Sequence, residues 1–305
     1  MAPSDRDRSY ELVEEEELAA GLTRIAAGRA ERALERLREA DAGGTDAADA
    51  IHGARKDLKK LRTVGRLLRD ELGGKVYRRE NGRFRDAARS LSQSRDAAAK
   101  VETLEALAKH EEVPAAAVKS WRKILDRDRE AAANLAGGGP AIGEAVALIE
   151  AGLDGIEGWN LEGDSWAAVD AAVVRTYRRG RRAMEAAMKG NAEAGFHEWR
   201  KRAKDLWYEL RLFGNAWPGP LEATAEEAHR LTDVLGDHHD LAVLREDLRE
   251  RNLGEEETVE LEAAISHRQA ELAVKASTLG HRLYAERPRD FSHRLRRYWE
   301  AWRCH

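Results

Sequence analysis

The chain has 305 residues, 52 Lys+Arg against 56 Asp+Glu, a formal net charge of -4 and one cysteine, Cys304. That length supports a sizeable core without covalent staples, the lone cysteine excludes an intramolecular disulfide, and no run of about 18 apolar residues offers a membrane span. The acidic start, MAPSDRDRSYELVEEEEL, has no apolar stretch of the kind a signal peptide needs, so the expectation is a soluble cytoplasmic protein.

In chain order, 3.6-period segments bounded by Gly, Pro, Asn and Asp predict helices over 11–40, 46–72, 75–110, 114–136, 141–156, 165–189, 192–214, 221–252, 255–285 and 288–303. Pro114 and Pro288 suit first helical turns. No strand pattern interrupts the series, so the expected class is all-α. AGGGPA, 136–141, is the strongest break, and its centre, 137–140, reads as a linker between halves at 11–136 and 141–303. Charge is segregated along these elements. His52–Arg69 holds seven Lys/Arg and one acid, Asp57, whereas Glu11–Glu17 and Gly254–Glu262 each hold five acids and no base. A nearly neutral molecule can therefore present one strongly positive surface.

The two predicted halves repeat a motif. HGARKDLKKLRTVGRLL, from His52, returns as HEWRKRAKDLWYELRLF, from His197. The pairs are His52 and His197, Arg55 and Arg200, Lys56 and Lys201, Lys59 and Lys204, and Arg66 and Arg211. A weaker match follows, LSQSRDAAAKVETL (91–104) with LGDHHDLAVLREDL (235–248), setting Asp96 opposite Asp240. Two similar helical bundles are the economical reading.

Each repeated helix carries two stripes at steps of three and four. Ile51, Ala54, Leu58, Leu61, Gly65 and Leu68 form a core stripe, as do Phe196, Trp199, Ala203, Leu206, Leu210 and Phe213. The next register holds His52, Arg55, Lys59, Arg62, Arg66 and Arg69, and in the second copy His197, Arg200, Lys204, Trp207 and Arg211. The cations thus run about 100° from the core edge. Like charges one turn apart repel, and an ordinary solvated face mixes its signs. Asp96 and Asp240 are too few to neutralise the stripes from within. The absent counter-charge points to an anionic partner. Arg175, Arg179 and Arg182 on a later helix, and Arg83, Arg85, Arg89 and Arg95 after the first stripe, add to the same pool.

Other chemistries find less support. GDHHD, ending at Asp240, offers metal-ligand types, but His238 and His239 point about 100° apart on a helix, and the first copy has Ser94 and Arg95 there. No metal, cofactor or catalytic residue is expected, and a metal-dependent helical phosphohydrolase is the weaker enzymatic alternative. Nucleic acid is the nearer competitor, because phosphate contacts dominate its affinity. Single-strand binders add aromatic platforms, yet Trp207 and Tyr208 face Arg62 and Thr63 in the first copy. The repeat keeps cations and drops aromatics, so nucleic acid is expected to bind more weakly than an anion without bases.

The doubled HxxRKxxK helix, each copy followed by an L…RD or LGDHHDL segment, and the closing FSHRLRRYWEAW resemble the CHAD domain, the conserved histidine α-helical domain, from about residue 11 to 303. The resemblance implies two four-helix bundles related by a pseudo-twofold axis, with the basic helices facing a central pore or groove. It implies a non-enzymatic module that binds inorganic polyphosphate and associates with polyphosphate granules. The family's basic positions fall on His52, Arg55, Lys56, Lys59 and Arg66, and on His197, Arg200, Lys201, Lys204 and Arg211. Arg62, Arg89, Arg175, Arg179 and Arg182 complete the candidate set. LSQSRDA departs from the family pattern in lacking its Gly and second apolar residue, and Trp207 stands where Arg62 predicts a cation.

Overall fold

Local chemistry starts and stops the helices much as expected. The Asp46 carboxylate accepts a hydrogen bond from the Ala48 amide at 2.7 Å and caps the helix that carries the first basic stripe. In the computed structural model, residues 9–42, 46–91, 96–135, 139–159, 161, 165–190, 193–251 and 255–304 are described. Among them are eleven α-helices and no strand: α1 (Leu18–Asp41), α2 (Ala47–Leu67), α3 (Arg69–Ser90), α4 (Asp96–His110), α5 (Ala115–Leu135), α6 (Gly139–Glu157), α7 (Ala167–Gly190), α8 (Glu193–Leu212), α9 (Pro218–Arg251), α10 (Glu255–Leu283) and α11 (Pro288–Trp302). A single 3-10 turn, Gly214–Ala216, joins α8 to α9. The class is all-α.

Three boundaries differ from the sequence reading. Helix α1 starts at Leu18 rather than at residue 11. The residues before it form a strap, held where the Leu12 amide donates to the Leu212 carbonyl, Asn215 Nδ2 to the Leu12 carbonyl at 3.1 Å, and the Tyr10 hydroxyl to the Tyr208 carbonyl at 3.3 Å. Glu16 turns back to the Val13 amide at 2.8 Å and to Arg24 at 2.6 Å, uses incompatible with continuing a helix through the acidic run. The helix expected over 75–110 is two, since α3 ends at Ser90 and α4 begins at Asp96. The expected break at 73–74 is a kink inside α3, where Gly73 adopts φ 71° and ψ 153°, a conformation almost confined to glycine, and the break between α2 and α3 falls instead at Leu68, inside the helix expected over 46–72.

Packing arranges α1, α2, α3 and α6 as one four-helix group and α7, α8, α9 and α10 as a second. The α4–α5 hairpin lies on α9 and α10, and α11 packs on α7. Helix α6 follows the glycine-rich break, which puts it in the second half by sequence, yet it packs on α1 and α3. Conversely, α4 and α5 precede the break and reach across to the other group. Of the expected linker 137–140, residues 137 and 138 lie outside the described residues, and Gly139 opens α6. The buried apolar side chains form one connected cluster from Tyr10 to Trp299, so both groups share a core.

Both core stripes are where the periodicity puts them. Ala54, Leu58, Leu61 and Leu68, and Phe196, Trp199, Ala203, Leu206, Leu210 and Phe213, are all buried. Close helix approach depends on glycine, as two contacts illustrate. A Cβ at Gly152 of α6 would strike the Phe84 ring of α3, and one at Gly280 of α10 would strike the Trp199 indole of α8.

Candidate functional site

Helix α2 packs against α7 and α8, and α3 against α7, so the basic edges of α2 and α8 meet across the junction of the two groups. Arg66 Nη2 of α2 lies 2.6 Å from Asp205 Oδ1 of α8. Beside this pair opens a cleft of about 590 Å³. Helix α2 contributes Lys59, Arg62 and Arg66; α3 contributes Tyr77, Asn81, Arg85 and Arg89; α7 contributes Arg179; α8 contributes Lys201, Arg202, Lys204, Asp205 and Tyr208. Among the described residues, nine Lys/Arg side chains and one carboxylate line it. That carboxylate is already engaged by Arg66 and, at 2.8 Å, by Arg202. At the rim, Arg85 pairs with Asp86 at 2.9 Å and Lys201 lies 3.8 Å from Glu198, exposed pairs that a polyanion can outcompete.

The electrostatics record this crowding. Burial pushes the Lys204 amine down to about 7; Arg200 and Lys59 act in the same direction, and Asp240 and Asp233 offset them in part. Lys59 and Lys204, paired only by the sequence repeat, are thus close enough in space to repel. Burial, then Arg66, lowers the Arg62 pKa, and its Nε donates to Asn81 Oδ1 at 3.0 Å, which holds the guanidinium at the wall. On α8, Glu209 is buried and held well above the usual carboxylate range, chiefly by loss of solvent.

Of the sequence candidates, Lys59, Arg62, Arg66, Arg89, Arg179, Lys201 and Lys204 come together in the cleft. The others take different places. Arg55 donates to the Leu91 carbonyl at 3.4 Å, Lys56 and Arg182 are exposed, and His52 is half-buried. Arg175 pairs with Asp70 at 2.8 Å, and Arg200 lies 3.7 Å from Asp240. Arg211 is drawn over the rings of Trp207 and Tyr10. Arg95 lies outside the described residues. The cleft adds Tyr77, Asn81 and Arg202 to the residues read from the sequence and takes in Arg85 from the cationic pool that follows the first stripe. Tyr77, Asn81, Arg85 and Arg89 recur at steps of four, so their shared face is readable within the helix expected over 75–110.

No histidine lines the cleft among the described residues. The His197 ring packs on His239 with centroids 4.2 Å apart, and burial, then His239, Lys201 and Arg200, lower it to about 4. His238 stacks on Phe196 at 4.2 Å and is likewise pushed by burial to about 4. The two neighbours of GDHHD therefore face different partners. Among the described residues, the group of potential ligands close enough to share an ion is elsewhere, Glu111, His267 and Glu271, with His267 Nδ1 bonded to Glu111 at 2.8 Å. A smaller recess of about 240 Å³ between α4, α9 and α10 carries Glu102, Asp237 and Asp240 beside Arg268, and its carboxylates repel an anion.

No curated protein matches the sequence significantly. A crystal structure of the CHAD domain from the plant Ricinus communis superposes with a TM-score of 0.60 at 16% identity, covering 99% of this chain and 98% of that one. The likeness shows the same fold. The CHAD domain family itself matches residues 28–249, a span that includes both basic helices and α9 up to Arg249. With the family matched across most of its length and the fold shared end to end, the chain belongs to the CHAD domain family.

Proposed function

We propose that the cleft binds inorganic polyphosphate and that the protein is a non-catalytic binding module, carried in the cytoplasm on polyphosphate granules. One observation carries this reading: four helices from two helix groups bring nine cationic side chains to one cleft, and its one carboxylate is already paired. Such a surface is costly when empty and is relieved by a flexible polyanion whose repeating charges meet successive cations. Its aromatic lining is poorly placed for stacking on bases. The Arg69 guanidinium lies 5.5 Å from the Tyr77 ring centre, and Tyr208 is buried and stacked on Trp207. A base-free polymer fits better than nucleic acid.

Titration with polyphosphate, single-stranded RNA and duplex DNA at one salt concentration tests the reading. Polyphosphate is expected to bind most tightly. Equal or tighter binding of either nucleic acid overturns it.

A further inference from the structure

We propose that Lys204 is a modification site: its amine, at the wall of the cleft, is acylated by acyl phosphates that the neighbouring cations hold by their phosphate group. The proposal rests on the anion-binding reading of the cleft and adds a second ligand class and a means of regulation to the same site.

Geometry separates Lys204 from its neighbours. Arg66, Arg200, Lys201 and Arg202 each have a carboxylate within ion-pair distance. Lys204 is half-buried on the same wall and has none among the described residues. The charged groups that face it are Arg200 on its own helix, Lys59 on α2, and Asp233 and Asp240 on α9. Asp240 is turned to Arg200, and Asp233 lies 3.3 Å from His229. An amine so placed gives up its proton easily; its pKa of about 7 leaves a large neutral fraction at neutral pH. An exposed lysine, with a pKa near 10.4, is neutral at pH 7 in only about one molecule in 2,500. The neutral amine is the nucleophile.

The wall selects the electrophile. Cations beside Lys204 favour a reagent whose leaving group is an anion, and the mixed anhydride of a carboxylic acid and phosphate meets that need. The Lys204 Nζ lone pair attacks the acyl carbon and forms the C–N bond. The bond from acyl carbon to phosphate oxygen breaks, and its electron pair leaves with phosphate. The amine proton passes to the departing phosphate. The products are an amide on Lys204 and hydrogen phosphate, and no other reactant is required. The amide is uncharged, so each acylation removes one cation from the wall and weakens polyphosphate binding.

Lys60 provides an internal control. Burial, then Arg211, lowers its amine to about 8, yet it lies over the Tyr10 ring at 5.0 Å and is absent from the cleft wall. An easily deprotonated amine alone would label both lysines, whereas capture through phosphate favours Lys204. The experiment incubates the full chain with acetyl phosphate near pH 7.5 and follows Lys204, Lys60, Lys109 and Lys275 by site-resolved mass spectrometry. Parallel arms use an uncharged acetyl ester and added polyphosphate, with binding of polyphosphate measured on the same sample. With acetyl phosphate, Lys204 is expected to react at least about tenfold faster than Lys109 and Lys275, and faster than Lys60. Polyphosphate is expected to slow it, and the uncharged ester to erase its advantage over Lys60. Lys204→Arg, checked for helicity, should lose that product alone. Acylation of Lys204 no faster than of Lys109, in protein that binds polyphosphate, overturns the proposal and leaves the binding reading standing. Rapid acylation that polyphosphate does not slow, in protein that does not bind it, overturns the binding reading and the guided step together.

Discussion

Arg66 of α2 reaches Asp205 of α8 at 2.6 Å, and this pair ties the two basic helices together at the cleft. Asp205 also holds Arg202, which keeps Glu198 at 2.8 Å, so Asp205→Asn would leave Arg66 without its carboxylate and Arg202 with one of its two. We expect a loss of about 1–3 kcal/mol, seen as a lower Tm. Polyphosphate affinity should hold or rise, because the cleft loses its one carboxylate. A fall in affinity at unchanged Tm would show that Asp205 orders the arginines for the ligand and does not brace the helices.

Lys59 and Lys204 bring equivalent positions of the repeat to one wall. Reversing both to Glu should weaken polyphosphate binding by about a hundredfold or more at low salt and flatten its salt dependence by about two counterions. Reversing Lys109 and Lys275, which lie off the cleft, should change affinity by less than about threefold. Similar losses from both double variants would mean that binding follows bulk charge.

Proton uptake on binding is expected to come from Lys204. His197, held at about 4, stays neutral near pH 7, whereas the Lys204 amine at about 7 is half-titrated there. A polyanion favours the protonated amine, so affinity should fall by up to about tenfold per unit as pH rises from roughly 7 to 9. Calorimetry at constant ionic strength, in buffers of different ionisation enthalpy, measures both affinity and protons taken up. A flat profile in the wild type, or a slope that persists in Lys204→Arg, would remove Lys204 from the coupling.

The same lysine should burden the empty fold. Its folded pKa lies below the unfolded value of about 10.4, so the stability it contributes is present above about pH 10.4 and is lost as pH falls through about 7. At pH 7, Lys204→Met is expected to raise stability by about 1–2 kcal/mol, a figure discounted for partial exposure, while weakening polyphosphate binding. The gain should shrink towards pH 10. Denaturant unfolding at the two pH values tests both the sign and the trend.

Affinity should also grow with polymer length. Short anions such as triphosphate meet only part of a wall built from four helices, and longer chains add contacts at high effective concentration. A ladder of defined lengths should give a rise and then a plateau. Triphosphate binding as tightly as long polymer would mean that a few cations form a compact pocket and the rest are bystanders.

Much of this was legible without coordinates, because helical period is a local property. Steps of three and four set Leu58 and Trp199 in the core, and they set Lys59 and Lys204 on the adjoining edge. The missing counter-charge followed from composition along that edge. The split of 75–110 and the partners of α6 were not legible, because propensity inside each segment is uniform while the packing that bends the chain comes from distant helices.

By itself, the sequence determined an all-α chain with two basic helix faces and too few acids to neutralise them, since backbone geometry alone decides which residues of a helix share a side. Only the tertiary structure decided which cations reach the cleft. Lys60 and Arg211 come from the same two helices as Lys59 and Lys204, but the Tyr10 ring draws both towards itself. Arg85, Asn81 and Tyr77 enter because α3 packs beside α2 and against α7. The reason is physical: a helix fixes the angle between its own side chains, but which face meets which depends on burying apolar surface contributed by residues far away in the chain.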